Sequence, residues 1–155
     1  MPFSVELCSV LDPSRVLILE SSKKVDALKT LVDCLSNAQE VKDRQELTEG
    51  IFRREDLMST GIGKGIGVPH VRLDSVENPV MCVGICRNPI TDYESLDRLP
   101  VRLIFMIAAG KDQHAEYIRL LASVSSKLKN DELYNALINA PDGEAFCCIL
   151  TQEDK

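Results

Sequence analysis

Residues 101–108 read Val-Arg-Leu-Ile-Phe-Met-Ile-Ala, an apolar run interrupted only by Arg102. A strand with one wet face alternates apolar and polar side chains, and this run does not, so both of its faces need covering. It therefore predicts a central strand in a sheet covered on each side, which points to α/β architectures. Residues 80–86 form a second strand-length apolar run, and residues 16–19 a third, entered from the Asp12-Pro13-Ser14 turn. A further short apolar segment lies around residues 5–11.

Helical periodicity fills the spaces between these runs. Ser21 or Ser22 is placed to cap a helix from about Lys23, whose stripe is Val25, Leu28, Leu31, Val32 and Leu35. A second helix is predicted over residues 43–53, with Leu47, Ile51 and Phe52 on one side and charges elsewhere. From Asp112 the spacing is helical again through Tyr117, Ile118, Leu121, Val124 and Leu128. Asp131 then caps a helix to about Asn139, and a last one spans residues 142–150. Pattern alone yields an α/β sandwich and leaves strand number and order open.

At 155 residues the chain is of a size to bury one core without disulfides or metal, and residues 1–155 are expected to form a single domain. A net charge of −6 gives no general attraction to nucleic acid or anionic lipid, so neither is expected as a partner. No apolar run approaches the length needed to cross a bilayer, and the first sixteen residues lack the layout of a targeting signal, so a cytoplasmic protein is expected. The six cysteines, Cys8, Cys34, Cys82, Cys86, Cys147 and Cys148, form no CxxC pair. They are expected to be reduced, with Cys82 and Cys86 on one face of a strand, Cys147 and Cys148 on different sides of their element, and no metal bound.

Glycines at 61, 63, 65 and 67 alternate with larger residues just before Pro69 and His70. Nucleotide-binding motifs do not fit. Lys64 is followed by Gly65 rather than the Ser or Thr that a phosphate-binding loop needs for magnesium, and Ile66 and Val68 stand where a dinucleotide fingerprint needs glycine. The glycines are expected instead to let a large partner approach the ring of His70, which stiff Pro69 presents in a fixed direction.

Two other residues are candidates for company. His114 falls at a predicted helix start, where unpaired N–H groups favour an anion and a neutral ring; its other reading is a capping or surface histidine. Arg54 closes the second predicted helix, and a guanidinium suits phosphoryl oxygens because it donates two parallel bonds and keeps its charge; its other reading is a solvated basic residue at a helix end.

Arg54-Glu55, then Ser59-Thr60-Gly61-Ile62-Gly63, then Gly65-Ile66-Gly67-Val68-Pro69-His70, with His70 sixteen residues after Arg54, resembles the phosphorylation-site signature of the fructose, mannitol and nitrogen-regulatory IIA proteins of the phosphoenolpyruvate-dependent phosphotransferase system. Lys111-Asp112-Gln113-His114 with Leu120, Leu121 and Leu128 is similar to that family's second histidine and its helix. The resemblance covers nearly the whole chain. It implies a mixed sheet of about five strands sandwiched between helices, and a phosphotransferase relay from a histidine-phosphorylated carrier protein to a downstream IIB domain. It also implies phosphorylation of His70 through Nε2, with Arg54 and His114 beside the phosphoryl group and Ser59, Thr60 and Gly61 bordering it. No cofactor is implied. The alternative is a regulatory binding module whose phosphorylation state selects a target protein. Val71 departs from the pattern, since many members have glycine there. Ile62, Ile66 and Val71 are candidates for an apolar docking rim, with Lys64 outside it, but core burial is the preferred reading for each aliphatic.

Overall fold

A computed structural model describes residues 10–152, so Cys8 and most of the apolar segment at 5–11 lie outside the described residues. Asp12 accepts from the Ser14 N–H at 2.9 Å and closes a short 3-10 turn, Pro13–Arg15. The elements that follow are β1 (Val16–Leu19), α1 (Lys24–Leu35), α2 (Arg44–Leu57), β2 (Gly61–Gly63), β3 (Ile66–Gly67), β4 (His70–Leu73), β5 (Val80–Ile90), β6 (Val101–Gly110), α3 (His114–Lys127), α4 (Asp131–Ile138) and α5 (Gly143–Gln152).

Six strands form one sheet in the order β1-β5-β6-β3-β2, with β4 also paired to β6. The resemblance implied about five; the addition comes from short pieces of the glycine run that pattern cannot separate. β6 is central as expected, antiparallel to β5 and parallel to β3 and β4. Its side chains alternate between two cores. Leu103, Phe105, Ile107 and Ala109 pack with α3, α4 and α5, while Ile104, Met106 and Ala108 pack with α1 and α2. Both faces are covered, so a run without polar alternation is what this position demands.

The first two helices depart from their predicted stripes in a way that matters for function. Neither Ser21 nor Ser22 caps α1: Lys23 is the N-cap without a side-chain bond, and the Lys24 N–H is taken by the Asp92 carboxylate at 2.9 Å. Val25 is 45% exposed, and the inward positions of the first turns are Lys24 and then Leu28 and Leu31. α2 runs one turn past residue 53, because the position after Leu47 and Ile51 on its buried face is Glu55, a charge that ends the apolar pattern without ending the helix. Further on, Ile118 is exposed while Leu120 takes the core position, Gln113 is the N-cap of α3, and Asn130 rather than Asp131 caps α4. Cys82 and Cys86 are buried on one face of β5, and Cys147 and Cys148 differ in exposure. No helix among the described residues is long and apolar enough to cross a membrane.

Candidate active site

Only two residues, Val68 and Pro69, separate β3 from β4, and both strands run along the same edge of β6: Gly67 faces Ile104 and His70 faces Ile107. At the break the Val68 carbonyl lies 2.6 Å from Nδ1 of His70. A carbonyl can only accept, so Nδ1 carries the proton and Nε2 keeps its lone pair. Burial pushes the pKa of this half-buried ring below the ordinary 6.5, and the Arg54 charge pushes the same way, opposed by the Val68 bond and the Glu55 carboxylate. The ring is neutral at pH 7, with a defined tautomer.

His70 lines a hollow of about 290 Å³ together with Arg54, Ser59, Thr60 and Gly61. The structure thus brings five of the six predicted site residues to one place. Arg54 sits in the last turn of α2, where its Nη1 donates to the Met58 carbonyl at 2.8 Å and leaves its other N–H groups for a ligand. Leu121 and Ser125 of α3 complete the wall, and Met58, Ile62 and Leu96 provide an apolar border, the first and last 70% and 85% exposed.

His114 does begin a helix, as the first residue of α3, but it is exposed and is not among the residues lining the hollow. The α3 ring against His70 is that of Tyr117, at 5.4 Å between centroids, with the Arg72 guanidinium 5.7 Å from the Tyr117 ring. Periodicity had marked Tyr117 only as a core position, and Arg72 carried no signal.

Two of the three rim candidates take the core reading. Ile66 is 3% exposed, part of the core beneath the sheet, and Val71 packs inward toward α2, where a Cβ on Gly50 would come within 2.9 Å of it. Ile62 alone of the three stands at the hollow's edge, and Lys64 reaches out to Asp131 at 4.0 Å. The glycines are also filled from within. A Cβ at Gly61 would lie 2.1 Å from the Glu94 carbonyl oxygen, at Gly65 2.3 Å from the Tyr134 hydroxyl and at Gly67 2.7 Å from the Tyr93 ring. The chain's own loop at 93–97 and helix α4, not a partner, occupy the space that those missing side chains leave.

Behind the hollow is a buried polar cluster that sequence reasoning missed. Glu55, its side chain 4% exposed, pairs with Lys24 at 2.9 Å and accepts from both the backbone N–H (3.3 Å) and the hydroxyl of Thr60. The Thr60 hydroxyl also meets that of Tyr93 at 2.7 Å, and Lys24 Nζ lies 4.3 Å from the Tyr93 ring centroid. The available signal was positional: Lys24 falls on the helical spacing of Leu28 and Leu31, and Glu55 on that of Leu47 and Ile51.

What the sheet and the hollow define together is an α/β protein in which one histidine ring, with Nε2 left unbonded by the Val68 contact, shares a hollow with an arginine. Comparison with known proteins supplies the family. The model of the phosphoenolpyruvate-dependent sugar phosphotransferase system EIIA 2 family matches residues 9–153, and the chain belongs to that family of phosphoryl carriers. A fructose-specific EIIABC component of Bacillus subtilis is 37% identical over 139 residues, 90% of this chain but 22% of that much longer protein. A nitrogen regulatory protein of Pseudomonas aeruginosa is 30% identical over 147 residues, 94% of this chain and 95% of its own length. In fold, the nitrogen regulatory protein IIA-Ntr of Neisseria meningitidis superimposes with a TM-score of 0.86 at 24% identity, covering 94% of this chain and 99% of that one.

Proposed function

We propose that this chain is a phosphohistidine carrier: Nε2 of His70 takes a phosphoryl group from the phosphohistidine of a carrier protein and delivers it to a IIB-type acceptor. The observation that carries this reading is the 2.6 Å bond from Nδ1 of His70 to the Val68 carbonyl, which fixes the tautomer with Nε2 free beside Arg54. In the transfer the donor's N–P bond breaks as the Nε2–P bond forms. The His70 ring gains positive charge as it does so, and the Nδ1–H bond to Val68 and the nearby Glu55 carboxylate offset it. Transfer between two imidazoles passes through a loose in-line transition state, so the protein's task is alignment and charge balance on the equatorial oxygens. Arg54 supplies that balance from within the hollow. His114, on the exposed first turn of α3 one turn before Tyr117, contributes from the outer side once the partner has docked. The IIB acceptor is supported by the Bacillus relative, whose name joins A, B and C components.

The similarity over nearly the full length of a nitrogen regulatory protein favours a second reading, in which phosphorylation of His70 selects a target protein by adding about −1.5 to −2 charges to the surface.

The test is incubation with phosphoenolpyruvate and the two general phosphotransferase proteins, followed by mass spectrometry. One acid-labile phosphoryl group should appear and be absent in His70→Ala; a native protein that gains none refutes the carrier function. Arg54→Ala should slow acceptance by about 100-fold, on the order of 3 kcal/mol. A smaller loss is expected for His114→Ala.

A further inference from the structure

We propose that Lys24, acting with Tyr93, is a positioning residue for His70, holding its ring through a continuous line of hydrogen bonds that begins at the buried Glu55 carboxylate. The inference rests on the carrier reading above and assigns parts to residues that the reading itself does not use.

The line can be followed atom by atom. Lys24 Nζ is 2.9 Å from Glu55 Oε1, and the same carboxylate accepts from the N–H and the hydroxyl of Thr60. The Thr60 carbonyl accepts from the Val68 N–H at 3.0 Å, and the Val68 carbonyl holds Nδ1 of His70 at 2.6 Å. Tyr93 braces the line at two points. Its hydroxyl meets that of Thr60 at 2.7 Å, and its ring fills the space beside Gly67, the residue before Val68. Lys24 also lies 3.4 Å from the Ser59 hydroxyl, which in turn donates to the Glu94 carbonyl at 2.7 Å. One ammonium therefore ties α1 to the end of α2 and to the turn bordering the hollow.

Charge explains why Lys24 has this part. A carboxylate buried as deeply as Glu55 needs a compensating charge close by, and losing that partner leaves an ion without its counterion. Arg54 precedes Glu55 but bonds the Met58 carbonyl, so Lys24 is the cation in contact with the carboxylate. With Lys24 gone, the carboxylate can keep its geometry toward Thr60 only at the cost of an unpaired buried charge. Thr60, Val68 and the imidazole beyond them then lose a fixed reference. In-line transfer is sensitive to misplacement on the scale of an ångström, so the effect falls on the chemical step and not on docking.

The experiment compares Lys24→Met, which keeps the aliphatic stem, Lys24→Arg, which restores the charge, and Tyr93→Phe, which removes one hydroxyl. Two readouts go beyond a structural role: the split between kcat and KM for the phosphorylated carrier protein, and the ¹⁵N signature of the His70 ring in the unphosphorylated protein. For Lys24→Met we expect about a tenfold fall in kcat with KM within about twofold, a ring signature shifted from the single Nδ1–H tautomer toward a mixture, and recovery of both in Lys24→Arg. Tyr93→Phe should shift the ring the same way by a smaller amount, and it decides the matter if Lys24→Met does not fold. Folded variants with the parent's ring signature and kcat overturn the proposal. If the native protein accepts no phosphoryl group, the carrier function fails, and the ring signatures alone still decide whether Lys24 positions His70.

Discussion

Gly61→Ala separates two explanations of the alternating glycines. If they are there for a partner's approach, one methyl group should leave stability alone and weaken only transfer. The structure gives the opposite answer. A Cβ at position 61 would stand 2.1 Å from the Glu94 carbonyl oxygen and 2.5 Å from Ser95 Oγ, where ordinary contact begins near 3.4 Å. Strand β2 or the loop at 93–97 must therefore move by more than an ångström. Neither is free to do so, because Ser59 Oγ bonds the Glu94 carbonyl at 2.7 Å and the Thr60 and Tyr93 hydroxyls meet at 2.7 Å across the same seam. Overpacking of this kind costs about 1–3 kcal/mol, and stretching one of those bonds about 1 more, so the total is about 2–4 kcal/mol. A chain of 155 residues has an unfolding entropy of about 0.3 kcal/mol/K, which converts the loss to a fall in Tm of about 6–12 °C. Thermal unfolding followed by circular dichroism measures it directly. A Tm within about 2 °C of the parent, given that conversion, would refute the internal-packing account and return the glycines to the partner.

Because burial and Arg54 lower the pKa of His70 below 6.5, phosphoryl acceptance should rise with pH with its midpoint below 6.5; a pH–rate midpoint above 6.5 contradicts it. The same shift makes the unfolded chain the better proton binder, so this contribution to stability is complete above pH 6.5 and is lost as pH falls through the folded value, as denaturant midpoints across that range will show. The Cys34 thiol is brought down to about 7 by its hydrogen bond with Cys82, while burial pushes Cys82 up and Cys86 up to about 12. Peptide mapping after brief alkylation near neutral pH should find Cys34 modified while Cys82 and Cys86 are protected until unfolding. Leu96 is 85% exposed at the border of the hollow, and under the proposed carrier function it is expected to be covered by the donor protein. Leu96→Ser should raise KM about fivefold, about 1 kcal/mol, with kcat unchanged, and an unchanged KM removes it from the docking rim.

The layered fold was legible because burial on two faces leaves an unmistakable trace. Residues 101–108 lack polar alternation, and they form the strand that both cores share. The way the chain enters His70 was legible for a different reason: Pro69 fixes its own φ and keeps the residue before it extended. What could not be read was the polarity of the inward positions. Lys24 and Glu55 lie on buried helical faces, yet a hydrophobic pattern assigns charged residues to solvent, since it sees each residue without its partner. Val25 was counted as core for the converse reason: it is apolar, yet it stands 45% exposed on the flank of α1. His114 shows a limit of motif reasoning, for a sequence places a residue at a helix start but not at a distance from another element.

The break between β3 and β4 joins these observations. Along the edge of β6 the two short strands occupy one line, and a regular strand there would continue the ladder through residues 68 and 69. Pro69 has no N–H to give, so the ladder lapses for one step and resumes when the Ile107 N–H reaches the Pro69 carbonyl at 3.0 Å. At the lapse the Val68 carbonyl has turned to the imidazole two residues on, while the Val68 N–H is held by Thr60, whose side chain is in turn fixed by Glu55 and Tyr93. The His70 ring is thus oriented by Val68, whose N–H and carbonyl lie on the side of the strand away from β6, while the Pro69 carbonyl points toward β6. Pro69 interrupts the ladder on the β6 side of the chain, and on the opposite side the Val68 carbonyl holds Nδ1 and leaves Nε2 free.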